Sequence, residues 1–230
     1  MAARLTALLL VALAVNLTMQ VHAQRVEGAT ELLQEARDFG GNTRTWRAEV
    51  VETSRLSGPG MNLQDEVRIK IAAQPHLKMR RQNSGSDRTV LVCDGTDAYY
   101  SGDGHSYYKG EANVNPDCDF PLIKFYNLHD SPDSVSIVGE DYVRLTDGRR
   151  RCVVIRAVWK QGTGNAVRSM CIDPSRPLIL RDVLELQNEK TGIKSVTTTT
   201  FVDFESNPSF LPETFQFQVP PGAVEAKPPI

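Results

Sequence analysis

The sequence predicts a mainly β protein built on a single large antiparallel sheet of about eleven strands, with an N-terminal helix and a second short helical segment. Apolar and polar residues alternate with a period of two along much of the chain, most clearly from Val67 to Ile71. Asp-Gly pairs such as Asp94-Gly95 and Asp147-Gly148 separate the apolar runs, and such pairs favour tight hairpin turns. Only two stretches carry a helical pattern, so the sheet dominates the prediction.

The charge of the chain excludes one large class of partners. Its 26 Lys and Arg residues and 28 Asp and Glu residues give a formal net charge of −2 at pH 7. Without an excess of positive charge the chain has no electrostatic means of neutralising phosphates, so we expect no nucleic-acid partner. A hydrophobic content of 40% is also too high for a disordered protein.

The first residues, Met1 to Ala23, have the features of a secretory signal peptide. Arg4 supplies a positive start, a Leu- and Ala-rich stretch follows, and the small residue Ala23 ends the segment. The apolar stretch is short for a spanning helix, which makes an uncleaved anchor the weaker alternative. We therefore predict cleavage before Gln24 and export of the mature chain. The mature domain is expected over residues 24–225, followed by a flexible Pro-rich tail over residues 226–230.

Two helices are predicted in the mature chain. The first runs from Thr30 to Phe39, because its apolar residues recur at helical spacing on one side, and Gly40-Gly41 ends it. The second is capped by Asp119 and continues to Leu128. It is short and apolar, as expected of a segment that lies over the sheet.

Strands are predicted where apolar residues alternate or β-branched residues accumulate. The run from Ser195 to Phe204, with four consecutive threonines, is strongly β-branched. The predicted strands are, in order, Trp46–Val50, Val67–Ile71, Thr89–Cys93, Ala98–Ser101, Ser106–Lys109, Ser134–Val138, Tyr142–Leu145, Cys152–Trp159, Ala166–Ile172, Leu178–Leu186, Ser195–Phe204 and Phe215–Val219. Gln74-Pro75 interrupts the second pattern, which resumes at Leu77 and Met79.

A sheet of this size must curl or be covered, because its apolar face has to leave water. Two helices are too few to cover it completely. Either the sheet closes into a barrel, or it stays open and curved with the helices over part of its concave side. The second arrangement creates an apolar cleft beneath a movable lid.

The four cysteines are expected to form disulfides, because their number is even and the exported chain meets an oxidising compartment. Three pairings are possible. Cys152 and Cys171 flank a predicted hairpin and can face each other across it, which leaves Cys93 for Cys118. A metal site is the weaker alternative, because the chain has no C-x-x-C pair, and we expect no metal.

Several short motifs occur in the order that they have in a known family. The closing run from Phe215 to Gly222 follows the pattern F-x-F-x-x-P-x-G. The other motifs are the strand, Pro-containing turn and strand from Val67 to Lys78, the apolar strand with its Asp-Gly turn from Val90 to Gly95, the aromatic strand Ala98-Tyr99-Tyr100, and the I-D-P end at Ile172-Asp173-Pro174. With the amphipathic helix before them, they make the chain resemble the periplasmic outer-membrane lipoprotein carrier family, the LolA-like proteins.

The resemblance implies an open half-barrel with an apolar cavity for lipid. The candidates for its lining are the inward-facing strand residues and the apolar residues of the second helix: Trp46, Val50, Val67, Ile69, Ile71, Met79, Val90, Val92, Leu122, Ile123, Phe125 and Tyr126. Plain core packing is the alternative for each of them, because core and cavity share one surface in such a fold.

The function expected from this resemblance is that of a soluble periplasmic carrier of lipoprotein acyl chains or another lipid. The alternative is a non-catalytic periplasmic sensor or regulatory module that binds a segment of an envelope membrane protein, as related anti-sigma-factor regulators do. We expect no enzyme, because the chain lacks a G-x-S-x-G elbow, an H-E-x-x-H pair and a P-loop. We also expect no cofactor, and a monomer.

Overall fold

A computed structural model describes residues 28–85, 88–102, 104–128, 131–162 and 164–227. The predicted signal peptide and its cleavage before Gln24 lie outside these residues. In the part of the chain that is described, no helix has the length and apolar character needed to cross a membrane.

The chain enters the sheet from one α-helix, α1, over residues 28–42. Ala29, Leu33 and Ala36 recur at helical spacing and are buried against the sheet. The helix is longer than predicted: Gly40 and Gly41 lie in its last turn instead of ending it. It ends at Thr43, whose backbone N–H and hydroxyl both donate to the Phe39 carbonyl.

Twelve strands of the described residues form one open sheet, in the order β12-β6-β5-β4-β3-β2-β1-β11-β10-β9-β8-β7. All neighbours are antiparallel except β12, which pairs parallel with β6, so the sheet is mixed. The strands are β1 Trp46–Gly58, β2 Met61–Gln74, β3 Lys78–Ser84, β4 Val90–Asp94, β5 Asp97–Ser101, β6 Ser106–Glu111, β7 Ser134–Leu145, β8 Gly148–Gln161, β9 Gly164–Ile172, β10 Ile179–Asn188, β11 Ile193–Ser206 and β12 Val224–Ala226.

The large curved sheet, open at its β12 and β7 edges, confirms the predicted fold class. Two predicted strands, Ser134–Val138 and Tyr142–Leu145, are one strand in the structure, β7. A register shift between Ile137 and Gly139 interrupts their common pairing with β8 and explains the break in the sequence pattern.

The central hairpin is longer than the sequence pattern indicates. β1 and β2 pair from Trp46↔Ala73 to Gly58↔Met61, well beyond the predicted strands. None of the residues in the added half, up to the turn at Pro59-Gly60, is buried, and no regular apolar–polar alternation marks it. Backbone pairing continues there beyond the patterned part of the strands.

The two segments predicted as a second α-helix and a last strand have other conformations. The chain between β6 and β7 contains 3₁₀ helices at Ala112–Val114 and Leu122–Tyr126. Near the C-terminus, Pro212–Phe215 is a 3₁₀ helix, and residues 216–223, which lie between it and β12, belong to no strand. Phe217 of this segment stacks on Tyr99 of β5, with 5.0 Å between ring centroids. Packing on the sheet, rather than strand pairing, therefore orders this segment.

The main core lies between the sheet and α1. It includes Trp46 at 1% exposure, Met79 at 2% and Phe201 at 2%, with Leu33 of the helix. A smaller buried cluster, with Val143, Leu178 and Leu180, lies near the β7 edge. Apolar packing thus concentrates where the helix covers the sheet, and the remaining concave surface stays accessible.

Both predicted disulfides are present. Cys93 pairs with Cys118 across a Cα–Cα distance of 5.6 Å, and Cys152 pairs with Cys171 across 5.3 Å. The first joins β4 to the segment between β6 and β7. The second joins the neighbouring strands β8 and β9, as the predicted hairpin requires.

Candidate functional site

Residues 112–128, which we call the lid segment, lie over the concave side of the sheet. Its 3₁₀ helix Leu122–Tyr126 buries Leu122 and Tyr126 completely in the main core. Burial raises the pKa of the Tyr126 phenol far above its ordinary value, so the ring remains neutral. These two side chains anchor the lid segment to the core rather than line a cavity.

Gly40 allows α1 to approach the lid segment. A Cβ atom at this position would lie 2.8 Å from the ring of Tyr126 and 3.1 Å from the Cα of Ile123. A Cβ on Gly41 would lie no closer than 3.7 Å to Ile123. The first glycine is therefore required by packing although it lies inside a helix, where glycine costs about 1 kcal/mol relative to alanine.

Two attachments hold the lid segment near its middle and at its end. The first is the disulfide from Cys118 to the concave face of β4. The second is Arg168 of β9, whose guanidinium donates to the backbone carbonyls of Phe125 and Asn127, at 2.8 Å for Asn127. The 3₁₀ helix lies between these two attachments.

Arg168 is itself fixed by a bidentate ion pair. Its Nε donates to Asp182 Oδ1 at 3.0 Å and its Nη2 donates to Asp182 Oδ2 at 2.7 Å. The side chains of Arg168 and Asp182 are only 12% and 16% exposed, so water screens the pair weakly. The pair directs the guanidinium at the lid segment from a rigid strand.

The larger cavity of the concave side, about 500 Å³, opens beside the Arg168–Asp182 pair. Its apolar wall comes from the lid segment and from β8, β9 and β10, and this pair, Lys124 and Asn127 provide its polar margin. The apolar residues are Phe120, Phe125, Trp159, Ala166, Leu184 and Leu186.

A smaller cavity of about 100 Å³ lies on the other side of Phe120 and Phe125, over β1, β2 and β3. These two rings border both cavities and meet edge to face at 5.3 Å between centroids. Phe125 also contacts Trp46 and Phe201 edge to face. An aromatic partition therefore separates the two cavities.

A third cavity, about 300 Å³, continues the groove away from the lid segment. It shares Ala166 and Leu186 with the larger cavity and extends to Ile193. We call the three cavities together the concave groove. Leu184, Leu186 and Ile193 remain 36%, 46% and 37% exposed along it, so apolar surface faces solvent in an unfilled channel.

Five of the twelve residues predicted for the cavity border a cavity of the concave groove. Val50, Ile69, Ile71, Met79 and Phe125 border the smaller cavity. Val67 packs against the main core, and Ile123 lies on the α1 side of the lid segment beside Gly40. Trp46, Leu122 and Tyr126 are at most 1% exposed within the core.

Val90 and Val92 do not share the face of these residues. The register pairs Met79 with Cys93 and Arg80 with Val92, so alternate residues of β4 face opposite sides. Leu91 and Cys93 belong to the main core, whereas Val92 faces the convex side. The residues of β4 on the concave face are therefore Leu91 and Cys93, and not the predicted Val90 and Val92.

Several residues of the groove were not among the predicted ones. Leu184 and Leu186 lie in a predicted strand and alternate with polar residues, which is a usable signal for a facing wall. No sequence signal marks Arg168, Asp182 or Phe120, because their contacts depend on the β9–β10 register and on the path of the lid segment. No group of three or more metal-ligating side chains occurs in the described ranges.

The architecture is similar to that of several solved proteins. LprF from Mycobacterium bovis has 13% sequence identity over 87% of this chain and 99% of its own, with a TM-score of 0.52. The LolA superfamily protein NE2245 from Nitrosomonas europaea has 10% identity over 82% and 97%, with a TM-score of 0.35. MucB from Pseudomonas aeruginosa, in its complex with MucA, has 15% identity over 83% and 61%, with a TM-score of 0.42.

The chain has a LolA-like fold. The resemblance that the sequence motifs predicted is thus confirmed for the fold. No protein-family model and no curated protein sequence matches the chain. In this chain the concave groove is the part of the fold that offers apolar surface.

Proposed function

We propose that the protein is a periplasmic carrier that binds an acyl chain, of a lipoprotein or another lipid, in the concave groove. The observation that carries the proposal is the larger cavity of about 500 Å³, whose wall includes the partly exposed Leu184 and Leu186. Apolar surface left open in a groove marks a ligand site more often than a folding defect. An acyl chain fits such a wall because it needs no directional partner.

The energy of binding comes from removing methylene groups from water. Each buried methylene stabilises the complex by about 0.8 kcal/mol, so even a partly buried chain gives substantial affinity. The alternating inner face of β10, with Leu184 and Leu186 two residues apart, supports an extended chain along the strand. Binding of an acyl chain in this way requires no excess of charge on the protein.

Release of the ligand requires a cover that opens without unfolding the sheet. The lid segment suits this role, because 3₁₀ helices have weak backbone hydrogen bonds. The bonds from Arg168 and the burial of Leu122 and Tyr126 hold its 3₁₀ helix against the sheet, whereas the disulfide keeps Cys118 on β4. We propose that this 3₁₀ helix lifts, which breaks the bonds from Arg168 and withdraws Leu122 and Tyr126 from the core, while the sheet and the disulfide stay intact.

We propose a binding role without catalysis. The polar groups beside the larger cavity are engaged with each other: Arg168 with Asp182, and Lys124 with Asp119. A general acid or base needs a titratable group with access to the reacting atoms. The wall of the larger cavity instead consists mainly of aliphatic and aromatic side chains.

Native mass spectrometry of the exported protein tests the proposal directly. We expect bound lipid after mild purification, and uptake of a fluorescent fatty-acyl probe by delipidated protein. Leu184→Glu places an unpaired carboxylate in the cavity wall and should weaken probe binding by at least about tenfold, given the cost of desolvating a charge. Because Leu184 is 36% exposed in the free protein, the variant should still fold.

Val183→Glu is the matched control. It adds the same charge to the same strand, but the β10 register places Val183 on the convex face. Probe binding at the unmodified level is expected there. An absence of lipid and probe binding in the unmodified protein would overturn the proposal. Capture of one envelope membrane protein in place of lipid would support the alternative regulatory role.

A further inference from the structure

The smaller cavity carries charged side chains that the proposed acyl-chain site does not use. Glu52 of β1 and Arg81 of β3 border it, together with Asp117 of the lid segment. Glu52 lies opposite Val67 and Arg81 lies opposite Ile71, so both side chains belong to the concave face. Three formal charges thus border a cavity whose other lining residues are apolar except for Thr199.

None of these charges is neutralised within the described residues. The carboxylates of Glu52 and Asp117 form no ion pair or hydrogen bond there. The Arg81 guanidinium donates from Nε to Asn83 Oδ1 at 3.3 Å, and its two terminal nitrogens have no described partner. By contrast, Arg168 on the same concave face is bonded through all three of its nitrogens.

A purely apolar ligand does not explain this arrangement. Glu52 and Arg81 are already half-buried, and a hydrocarbon filling the cavity would remove their water without supplying partners. Such a ligand would therefore bind poorly at this end of the groove. A ligand that brings its own charges would restore the missing partners through charge-assisted hydrogen bonds.

We infer that the smaller cavity binds the head of a zwitterionic amphiphile, with an anionic group on Arg81 and an ammonium group on Glu52. A phosphoethanolamine head has this chemistry. The inference rests on the proposed function, because the acyl chain of the same molecule would lie in the larger cavity, which becomes continuous with the smaller one when the lid segment lifts and moves Phe120 and Phe125. Asp117, on the lid segment, would add a second partner for the ammonium group.

Heads of a single sign fit this cavity less well. An anionic head would contact Arg81 but would bring like charge to Glu52 and Asp117, which is destabilising. A cationic head would leave Arg81 without a partner. The site thus attracts a zwitterionic head and disfavours heads of a single charge sign, and this difference in affinity gives selectivity.

The test compares lysophosphatidylethanolamine with lysophosphatidylglycerol of the same acyl chain, both displacing a fluorescent fatty-acyl probe. The unmodified protein should bind the ethanolamine lipid about tenfold more tightly, the value of one good charge-assisted contact. Glu52→Gln should abolish this preference, because it weakens binding of the ethanolamine lipid and relieves the like-charge repulsion of the glycerol lipid. Arg81→Gln should weaken both lipids by about tenfold, since each presents a phosphate.

Glu66→Gln and Arg80→Gln are matched controls, because the register places both residues on the convex face. They should leave both affinities unchanged, and thermal unfolding verifies that every variant is folded. Equal affinity of the unmodified protein for the two lipids would overturn the inference and leave the carrier proposal standing. Failure of the unmodified protein to bind either lipid or the probe would overturn the carrier proposal itself.

Discussion

Arg168 links the sheet to the lid segment through a single side chain. Its guanidinium is held by Asp182 and donates to the carbonyls of Phe125 and Asn127. Such a fork fits a planar carboxylate and still leaves N–H groups for a third and fourth acceptor. No lysine could make this set of contacts.

Arg168→Gln should therefore loosen the lid segment. It removes the bonds to two carbonyls and leaves Asp182 partly buried without its cation, which should lower the free energy of unfolding by about 2–4 kcal/mol. Hydrogen exchange measured by mass spectrometry should show faster exchange in residues 112–128. Arg156→Gln is the control, because Arg156 is exposed and has no ion pair with a described residue. Unchanged exchange in the lid segment would contradict this role of Arg168.

At the residue scale, the sequence predicts aliphatic positions better than polar ones. The alternating pattern indicates on which face of the strand Ile69 and Ile71 lie, because every second residue of a strand points the same way. Glu52 and Arg81 follow the same alternation and lie on the concave face. A sequence pattern assigns a charged residue to the exposed surface, because it does not show that the sheet curves over that residue. Val92 was assigned to the wrong face because its whole strand is apolar and has no alternation to read.

The two disulfides act on different elements. Cys93–Cys118 attaches the lid segment to β4, whereas Cys152–Cys171 joins two strands that already share a hydrogen-bonded ladder. Their sequence separations are 25 and 19 residues, so their effects on the entropy of the unfolded chain are similar. In the folded state they differ in the elements that they connect, which are β4 and the lid segment for the first bridge and β8 and β9 for the second.

Paired alanine variants should separate these roles. Replacing both cysteines of either bridge should lower the free energy of unfolding by about 3 kcal/mol. Only Cys93→Ala with Cys118→Ala should also accelerate hydrogen exchange in residues 112–128. Cys152→Ala with Cys171→Ala serves as the matched control, because its loss leaves the lid segment attached. Equal exchange of the lid segment in the two variants would show that the first bridge does not hold it.

The conformation of two segments depends on contacts with residues that are distant in the sequence, which a local sequence pattern does not show. The 3₁₀ helix Leu122–Tyr126 is held by burial against α1 and by Arg168, not by a helical run of its own. The predicted strand Phe215–Val219 lies instead on the sheet beside Tyr99. In both cases the apolar content was read correctly, and tertiary packing chose the backbone conformation.

For the whole molecule, the β7 edge predicts an acid-sensitive stability. A hydrogen bond from Arg151 lowers the pKa of Glu140, and the backbone N–H of Tyr142, followed by Arg181, lowers the pKa of Asp141. The unfolded chain takes up protons at the ordinary values of 4.5 and 3.8, before the folded chain does. The contribution of these groups is therefore present above those values and is lost as the pH falls through the lowered ones.

Urea unfolding measured from about pH 6 to about pH 3 tests this dependence. The free energy of unfolding should decrease toward acid, and the decrease should be smaller in the variant with Glu140→Gln and Asp141→Asn. Asp147→Asn is the control, because its exposed carboxylate lies in the β7–β8 turn. A double variant as acid-sensitive as the unmodified protein would contradict the assignment.

The sequence by itself determined the mainly β class, the N-terminal helix, the disulfide chemistry and most of the apolar concave face. These properties follow from periodicity and residue chemistry, which are local. The tertiary structure alone decided where the face is left uncovered, which rings separate its cavities, and which charges meet. Those features depend on the register of distant strands such as β9 and β10, and on a lid segment fixed by Cys93 and Arg168 from other parts of the chain.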